Sequence, residues 1–222
     1  MSAAVIISDW PAPGGREEYA ITCPADGPRR LLVLPAWFDE ANKLRHFTLA
    51  TMRVLAARGV GCVLPDLPGC NESLVPLESC DLAGWRDAAD AAAAHFGCTH
   101  VLTFRAGANI APVLPGFAYA PVAASRALAT LLRARAIAAR EAGQGTTRET
   151  LLDTGQREGL DIGGARLGAR MVVQLIRAAD PANPLPAIAQ TELRGPGLWL
   201  RAEPGHDPAQ AEALARNVAE RL

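Results

Sequence analysis

The stretch "VLTFRAGANI", residues 101–110, puts an arginine where acyl-transfer chemistry would put its nucleophile. A reactive serine is commonly presented at a sharp turn between a buried strand and a helix, inside a small-x-Ser-x-Gly frame. Here the frame reads Thr103-Phe104-Arg105-Ala106-Gly107. Thr103 and Gly107 are the residues expected to keep the elbow tight. The guanidinium of Arg105 stays protonated in a protein and cannot attack a carbonyl. Ordinary Ser-His-Asp chemistry at residue 105 is therefore excluded in this register.

Other residues carry parts of the same chemistry. His206, in "WLRAEPGHDPAQAE", is the candidate general base, with Glu203 and Asp207 as candidate acids. A histidine beside a helix N-cap is at least as common a reading. In "PAWFDEANKLRH", Asp39, Glu40 and Asn42 cluster with Lys43 and Arg45. They read equally well as part of a binding site and as the charged start of a helix, where acids suit the positive end of the dipole. Cys70, in "PDLPGCNES", has no basic neighbour in sequence to lower its thiol pKa, which argues against a nucleophile. His46, His95 and His100 show no metal-ligand spacing, and neither metal nor cofactor is expected. A cation at Arg105 needs compensation if it is buried. Asp39, Glu40, Glu203 and Asp207 are the acids expected at the same edge. If none of them reaches it, the free guanidinium marks a site for a carboxylate or phosphate.

These residues need a sheet to bring them together. "RRLLVLPAW", "GVGCVLPDLPG" and "THVLTF" are short continuous apolar runs, the profile of strands buried on both faces. Between them, "NKLRHFTLATMRVLAARG" and "DLAGWRDAADAAAAHFG" read as helices, the second capped by Asp81. Strand-helix alternation implies an α/β fold, with a mainly parallel sheet and helices on both faces. "EEYAITCP" is an expected early strand and "GLWLRAE" the expected last one, followed by a helix capped by Asp207. "VLPGFAYAPV" offers a further short strand, "SRALATLLRARAIAAREAG" a helix, "GQGTTRE" a loop, and a helix is expected from about Ala165. "ADPANPLPAIAQ" reads as irregular. Residues 1–222 are read as one domain, with about 120–190 as a candidate small helical lid.

The 222 residues suffice for one sizeable core, and the formal net charge of −1 without a basic run argues against nucleic acid. No stretch approaches the roughly 20 apolar residues of a membrane span. The first residues lack the pattern of a signal peptide, and five cysteines at unrelated spacings read as reduced thiols. A cytoplasmic location follows as the expectation. The partner expected is a small molecule, and a homo-oligomer is compatible with the sequence.

Taken in order, "LPAWFDEANKLRH", "LAARGVGCVLPDLPGCNES", "LTFRAGANIAPVL", "YAPVAASRALATLLRARAIAA" and "GLDIGGARLGARMV" give the chain a likeness over about residues 30–175. It resembles the exosortase A system-associated hydrolases of the second type, a bacterial branch of the α/β-hydrolase superfamily. The resemblance implies an α/β-hydrolase-like fold with an oxyanion-type loop after the first buried strand. It also implies that arginine at the serine's seat is a trait of the family, within a "GLRLG"-like stretch that "FRAG" matches with Thr103 in place of its first glycine. A role near bacterial exopolysaccharide and protein-sorting gene sets is implied, without a known reaction. Two functions follow. One is a pseudoenzyme that binds a small carboxylate, phosphate or acyl ligand through Arg105, Asp39, Glu40, Asn42, Glu203 and Asp207. The other is an esterase or thioesterase with an unconventional site based on His206. A purely structural role is a third reading.

Overall fold

The computed structural model describes residues 4–162, 166–178, 181 and 183–222. Nine strands and six α-helices follow in chain order among them: β1 (Ile6–Ala12), β2 (Arg16–Cys23), β3 (Arg30–Leu34), α1 (Asp39–Ala57), β4 (Gly61–Pro65), α2 (Leu82–His95), β5 (His100–Phe104), β6 (Gly116–Tyr119), α3 (Ala124–Glu141), α4 (Arg148–Glu158), β7 (Leu160–Asp161), β8 (Arg166–Leu167), α5 (Ala169–Arg177), β9 (Ala187–Ile188) and α6 (Pro208–Arg221). Seven strands form one sheet in the order β1-β2-β4-β3-β5-β6-β9, and β7 pairs with β8 alone. In the seven-stranded sheet β1–β2 and β2–β4 pair antiparallel, whereas β4–β3, β3–β5, β5–β6 and β6–β9 pair parallel. The expected fold class, a mainly parallel sheet with helices on both faces, is what the chain adopts.

The continuous apolar strands work as their patterns require. In β3, Leu31 and Val33 join the core under α1 and α6, while Leu32 and Leu34 join the opposite core under α2, α3 and α5. Successive side chains point to opposite faces of a strand, so a strand covered on both faces must be apolar throughout. Asp81 caps α2, accepting from the Gly84 amide at 2.7 Å, and also pairs with Arg170 of α5 at 2.6 Å. The α3–α5 layer is thereby docked on the start of α2. No helix among the described residues is long and apolar enough to cross a membrane.

Three expectations need correction. "LWLRA" is not a strand: Leu198–Leu200 form a 3-10 turn. The edge beside β6 is occupied by Ala187–Ile188 of the proline-rich stretch, where the Ala118 and Ala120 amides donate to the Pro186 and Ile188 carbonyls. Two residues sufficed for that, so "ADPANPLPAIAQ" is not wholly irregular. The loop expected at "GQGTTRE" ends early, because Thr147 caps α4 by accepting from the Thr150 amide at 3.2 Å. Finally, the helix start expected at Ala165 lies outside the described residues, and the described helix opens at Ala169.

Candidate functional site

The segments that leave the carboxyl ends of β3, β4, β5 and β6 each contain a non-glycine residue at positive φ. These are Phe38 (57°) after β3, Asn71 (50°) after β4, Arg105 (54°) after β5 and Ala120 (44°) after β6. Among the described non-glycine residues the one other positive φ is at Arg194, after β9. Such backbone costs on the order of 1–3 kcal/mol at each position and is found where geometry is over-determined, as at sites. Sites in open α/β sheets form along this edge.

The elbow is built as its sequence frame implies. A Cβ on Gly107 would come within 2.5 Å of the Pro35 carbonyl oxygen and 2.8 Å of that of Leu34, so glycine lets the turn pack against the end of β3. Thr103 is fully buried, and its Oγ1 has no hydrogen-bond partner. Beyond the elbow, however, Arg105–Ile110 form a short 3-10 segment in place of the helix that commonly follows such a turn. Asn109 holds that segment: its amide donates to the Ala106 and Val122 carbonyls, and its Oδ1 accepts from the Ala124 amide. With Ala111–Pro115 leading straight into β6, the chain has no length for a full helix here.

Arg105 is tied down on three sides. Its Nε and Nη2 donate to the two carboxylate oxygens of Glu40 at 3.0 and 3.2 Å, and Nη1 donates to the Ala120 carbonyl at 2.8 Å. The indole of Trp199 lies over the guanidinium, 4.0 Å from ring centroid to Cζ. This is the fork-on-carboxylate geometry arginine favours, closed by a cation–π contact. Glu40 sits in the first turn of α1, so its charge serves both the dipole and the arginine. Asp39 instead pairs with Lys43 at 2.7 Å on the surface, and Glu203 is exposed. Glu40 alone of the four expected acids forms an ion pair with Arg105 among the described residues. The guanidinium is held by a carboxylate, the first of the two arrangements expected for Arg105.

His206 stacks on His46, ring centroids 3.9 Å apart and planes 11° apart. Its Nδ1 is buried without a hydrogen-bond partner. A catalytic base needs a carboxylate on that nitrogen to fix its tautomer and stabilise the imidazolium. Asp207 does not supply it. Its carboxylate caps α6, accepting from the Gln210 backbone amide at 3.1 Å and from the Gln210 side chain at 3.0 Å. These bonds hold the Asp207 carboxyl below its usual range, the backbone amide contributing most. Desolvation lowers the affinity of His206 for a proton, and the His46 ring adds to this while Asp207 opposes it. An imidazole held neutral in the fold takes up its proton on unfolding, so its contribution to stability is present above the unfolded pKa of about 6.5 and falls as pH drops toward the folded value. His206→Asn is expected to lose less stability than the parent between pH 7.5 and 5 in urea titrations. An unchanged pH dependence would show that His206 titrates as it does in the unfolded chain.

Cys70 is removed as a nucleophile by its surroundings. Burial pushes its thiol up to about 12, and Cys80, Asp66 and Glu18 add to the shift. The "DLPGCNES" loop is held by buried acids instead: Asp66 accepts from the Asn71 side chain at 2.6 Å, and Glu18 from the Ser73 hydroxyl at 2.8 Å. Between this loop and the start of α1 lies a cleft of about 270 Å³, lined by Phe38, Asp39, Asn42, Asn71, Leu131 and Ile162 among others. Phe38, Ala41, Cys70 and Asn71 also line a narrow inner pocket of about 40 Å³, walled by Trp37 and Leu67. Trp37 carries a buried Nε1 without an acceptor. Sequence reasoning did not find Trp199, Ala120, Asn109 or Trp37. A backbone carbonyl and aromatic faces carry no motif, and Asn109 could have been marked only as a polar residue in an apolar run.

No family model and no curated protein matches the sequence. Solved structures do. Alpha/beta hydrolase domain-containing protein 10 from mouse matches with a TM-score of 0.58 at 11% identity, over 83% of this chain and 77% of that one. Est1E from Butyrivibrio proteoclasticus, with ferulic acid bound, gives 0.54 at 12% over 81% and 77%. Alpha/beta hydrolase GrgF from Penicillium sp. sh18 gives 0.53 at 14% over 84% and 79%. Against other matches, such as esterase Est22, the chain spans only 45% of the matched length. At these identities the likeness establishes the fold, and the chain has the α/β-hydrolase fold with an arginine at its nucleophile elbow.

Proposed function

We propose that this protein is an α/β-hydrolase-fold pseudoenzyme that holds a small acyl ligand in the cleft between the start of α1 and the "DLPGCNES" loop. The observation that carries the reading is the seat itself: Arg105 fills it, and its donors are engaged by Glu40 and Ala120 under the ring of Trp199. The histidine expected as base has an unpartnered Nδ1. Of the ligand classes considered, an acyl group fits the cleft better than a free anion. Phe38, Leu131 and Ile162 offer apolar contact, and Asp39 repels a second negative charge. Asn42 and Asn71 are the polar contacts.

The finer family placement, among the exosortase A system-associated hydrolases, is supported by the order and spacing of the quoted stretches. It makes the arginine a trait and not a local loss. On that reading the protein is bacterial and cytoplasmic, α3–α5 act as the small lid, and a small molecule is the partner, with a homo-oligomer compatible. The alternative, an esterase or thioesterase with an unconventional site, has in its favour the left-handed backbone kept at Phe38 and Arg105.

One set of measurements separates the two. The protein is expected to remain unlabelled by fluorophosphonate probes and to leave p-nitrophenyl acetate and acetyl-thioesters intact. Short-chain acyl amides are expected to raise its Tm, since a ligand bound to the native state alone stabilises it. Labelling of a serine, or turnover of either ester class, decides for the enzyme. The absence of any acyl-dependent shift overturns the ligand assignment.

A further inference from the structure

A second concave surface lies away from the sheet edge, between the end of α3 and the start of α4. It has a volume of about 460 Å³, and Arg133, Ile137, Arg140, Gln144, Thr146 and Arg148 line it. Three arginines and no acidic residue line this surface. Arg133 and Arg140 are two helical turns apart, so they share a face of α3, with Ile137 between them.

The three cations there are exposed and have no carboxylate partner among the described residues. Arg58, Arg105, Arg157, Arg166 and Arg170 each pair with a carboxylate. Arg133, Arg140 and Arg148 form no ion pair among the described residues. Arg148 is also the first residue of α4, where a cation opposes the helix dipole. An ordinary solvated helix face alternates signs; this one does not. Ile137 is 53% exposed in the middle of it.

We infer that this groove binds a phosphate-bearing ligand, with Arg133, Arg140 and Arg148 as its donors. Arginine forks match phosphate oxygens in bidentate fashion, and three positive charges suit a dianion or a diphosphate better than a carboxylate. Ile137 would contact the apolar part of such a ligand. The same chemistry comes from two sources, a soluble phosphate compound or a phospholipid headgroup. The groove is separate from the acyl cleft and does not depend on that assignment.

Calorimetric titration with inorganic pyrophosphate at low salt, and co-sedimentation with phosphatidylcholine vesicles containing phosphatidic acid, test both sources. Saturable pyrophosphate binding is expected, falling with added NaCl. Arg133→Ala and Arg140→Ala should each weaken it at least about tenfold, the size of one lost hydrogen bond to a charged group. Arg140→Lys should retain part of the binding. Arg216→Ala, an exposed arginine on α6, should leave it unchanged. All three positions are exposed, so native Tm values are expected. Vesicle binding that pyrophosphate displaces identifies a lipid headgroup; pyrophosphate binding without vesicle binding identifies a soluble ligand. Binding of neither, or binding that survives the loss of both Arg133 and Arg140, overturns the inference.

Discussion

Glu40→Ala is expected to destabilise the protein by about 3 kcal/mol, the range for breaking a largely buried ion pair from one side. The Arg105 and Glu40 side chains are only 14% and 22% exposed, so solvent screens little of the charge left behind. The Ala120 carbonyl and the Trp199 ring remain as partners and keep the loss from being larger. At ~2–4 °C per kcal/mol for a chain of this length, Tm should fall by roughly 6–12 °C. Glu40→Gln should fall between parent and Glu40→Ala, since an amide oxygen still accepts one bond. The combined variant Glu40→Leu with Arg105→Met should recover most of the loss, because an apolar pair of similar volume avoids desolvating two charges. Urea unfolding of the parent, Glu40→Leu, Arg105→Met and the double variant closes the cycle and gives the coupling energy. A loss below about 0.5 kcal/mol for Glu40→Ala would mean that the pair behaves as a screened surface contact.

What sequence could show of this site followed from what kind of interaction builds each part. The parallel core was legible because β3, β4 and β5 are buried on both faces, and only continuous apolar runs satisfy that. The Asp81 and Asp207 caps were legible because a short side chain bonding an amide two or three residues on is a local event. The partner of Arg105 was narrowed to four acids and no further, since the choice among them depends on how α1 is presented after Phe38. The last strand was misread because "GLWLRAE" has strand composition, while the place beside β6 went to two residues of a proline-rich segment. That outcome shapes the site: as a 3-10 turn, Leu198–Leu200 bury Leu198 and place Trp199 over the arginine. The short connection from Arg105 to β6 had a readable signal, Pro112 and Pro115 so soon after the elbow, which leave no room for a long helix.

Arg105→Ser restores the serine of the frame, and it is expected to produce no esterase. A serine at this elbow still needs a base within reach and an acid behind the base. His206 has no carboxylate on Nδ1, and the Asp207 carboxylate is held by Gln210 at the start of α6. Freeing Asp207 would cost a helix cap, about 1 kcal/mol, before any gain in catalysis. The substitution also strands the partly buried Glu40, so a stability loss of about 2–3 kcal/mol is expected beside the absence of activity. The two readouts are independent. Hydrolysis of p-nitrophenyl acetate should stay at the buffer rate, and fluorophosphonate should leave residue 105 unlabelled, while urea unfolding records the destabilisation. Because inactivity could follow from unfolding alone, Arg105→Ser combined with Glu40→Gln serves as the better-folded test, and it too should be inactive. Turnover in either variant that disappears on adding His206→Asn would reveal a working base at that position and decide for the esterase reading.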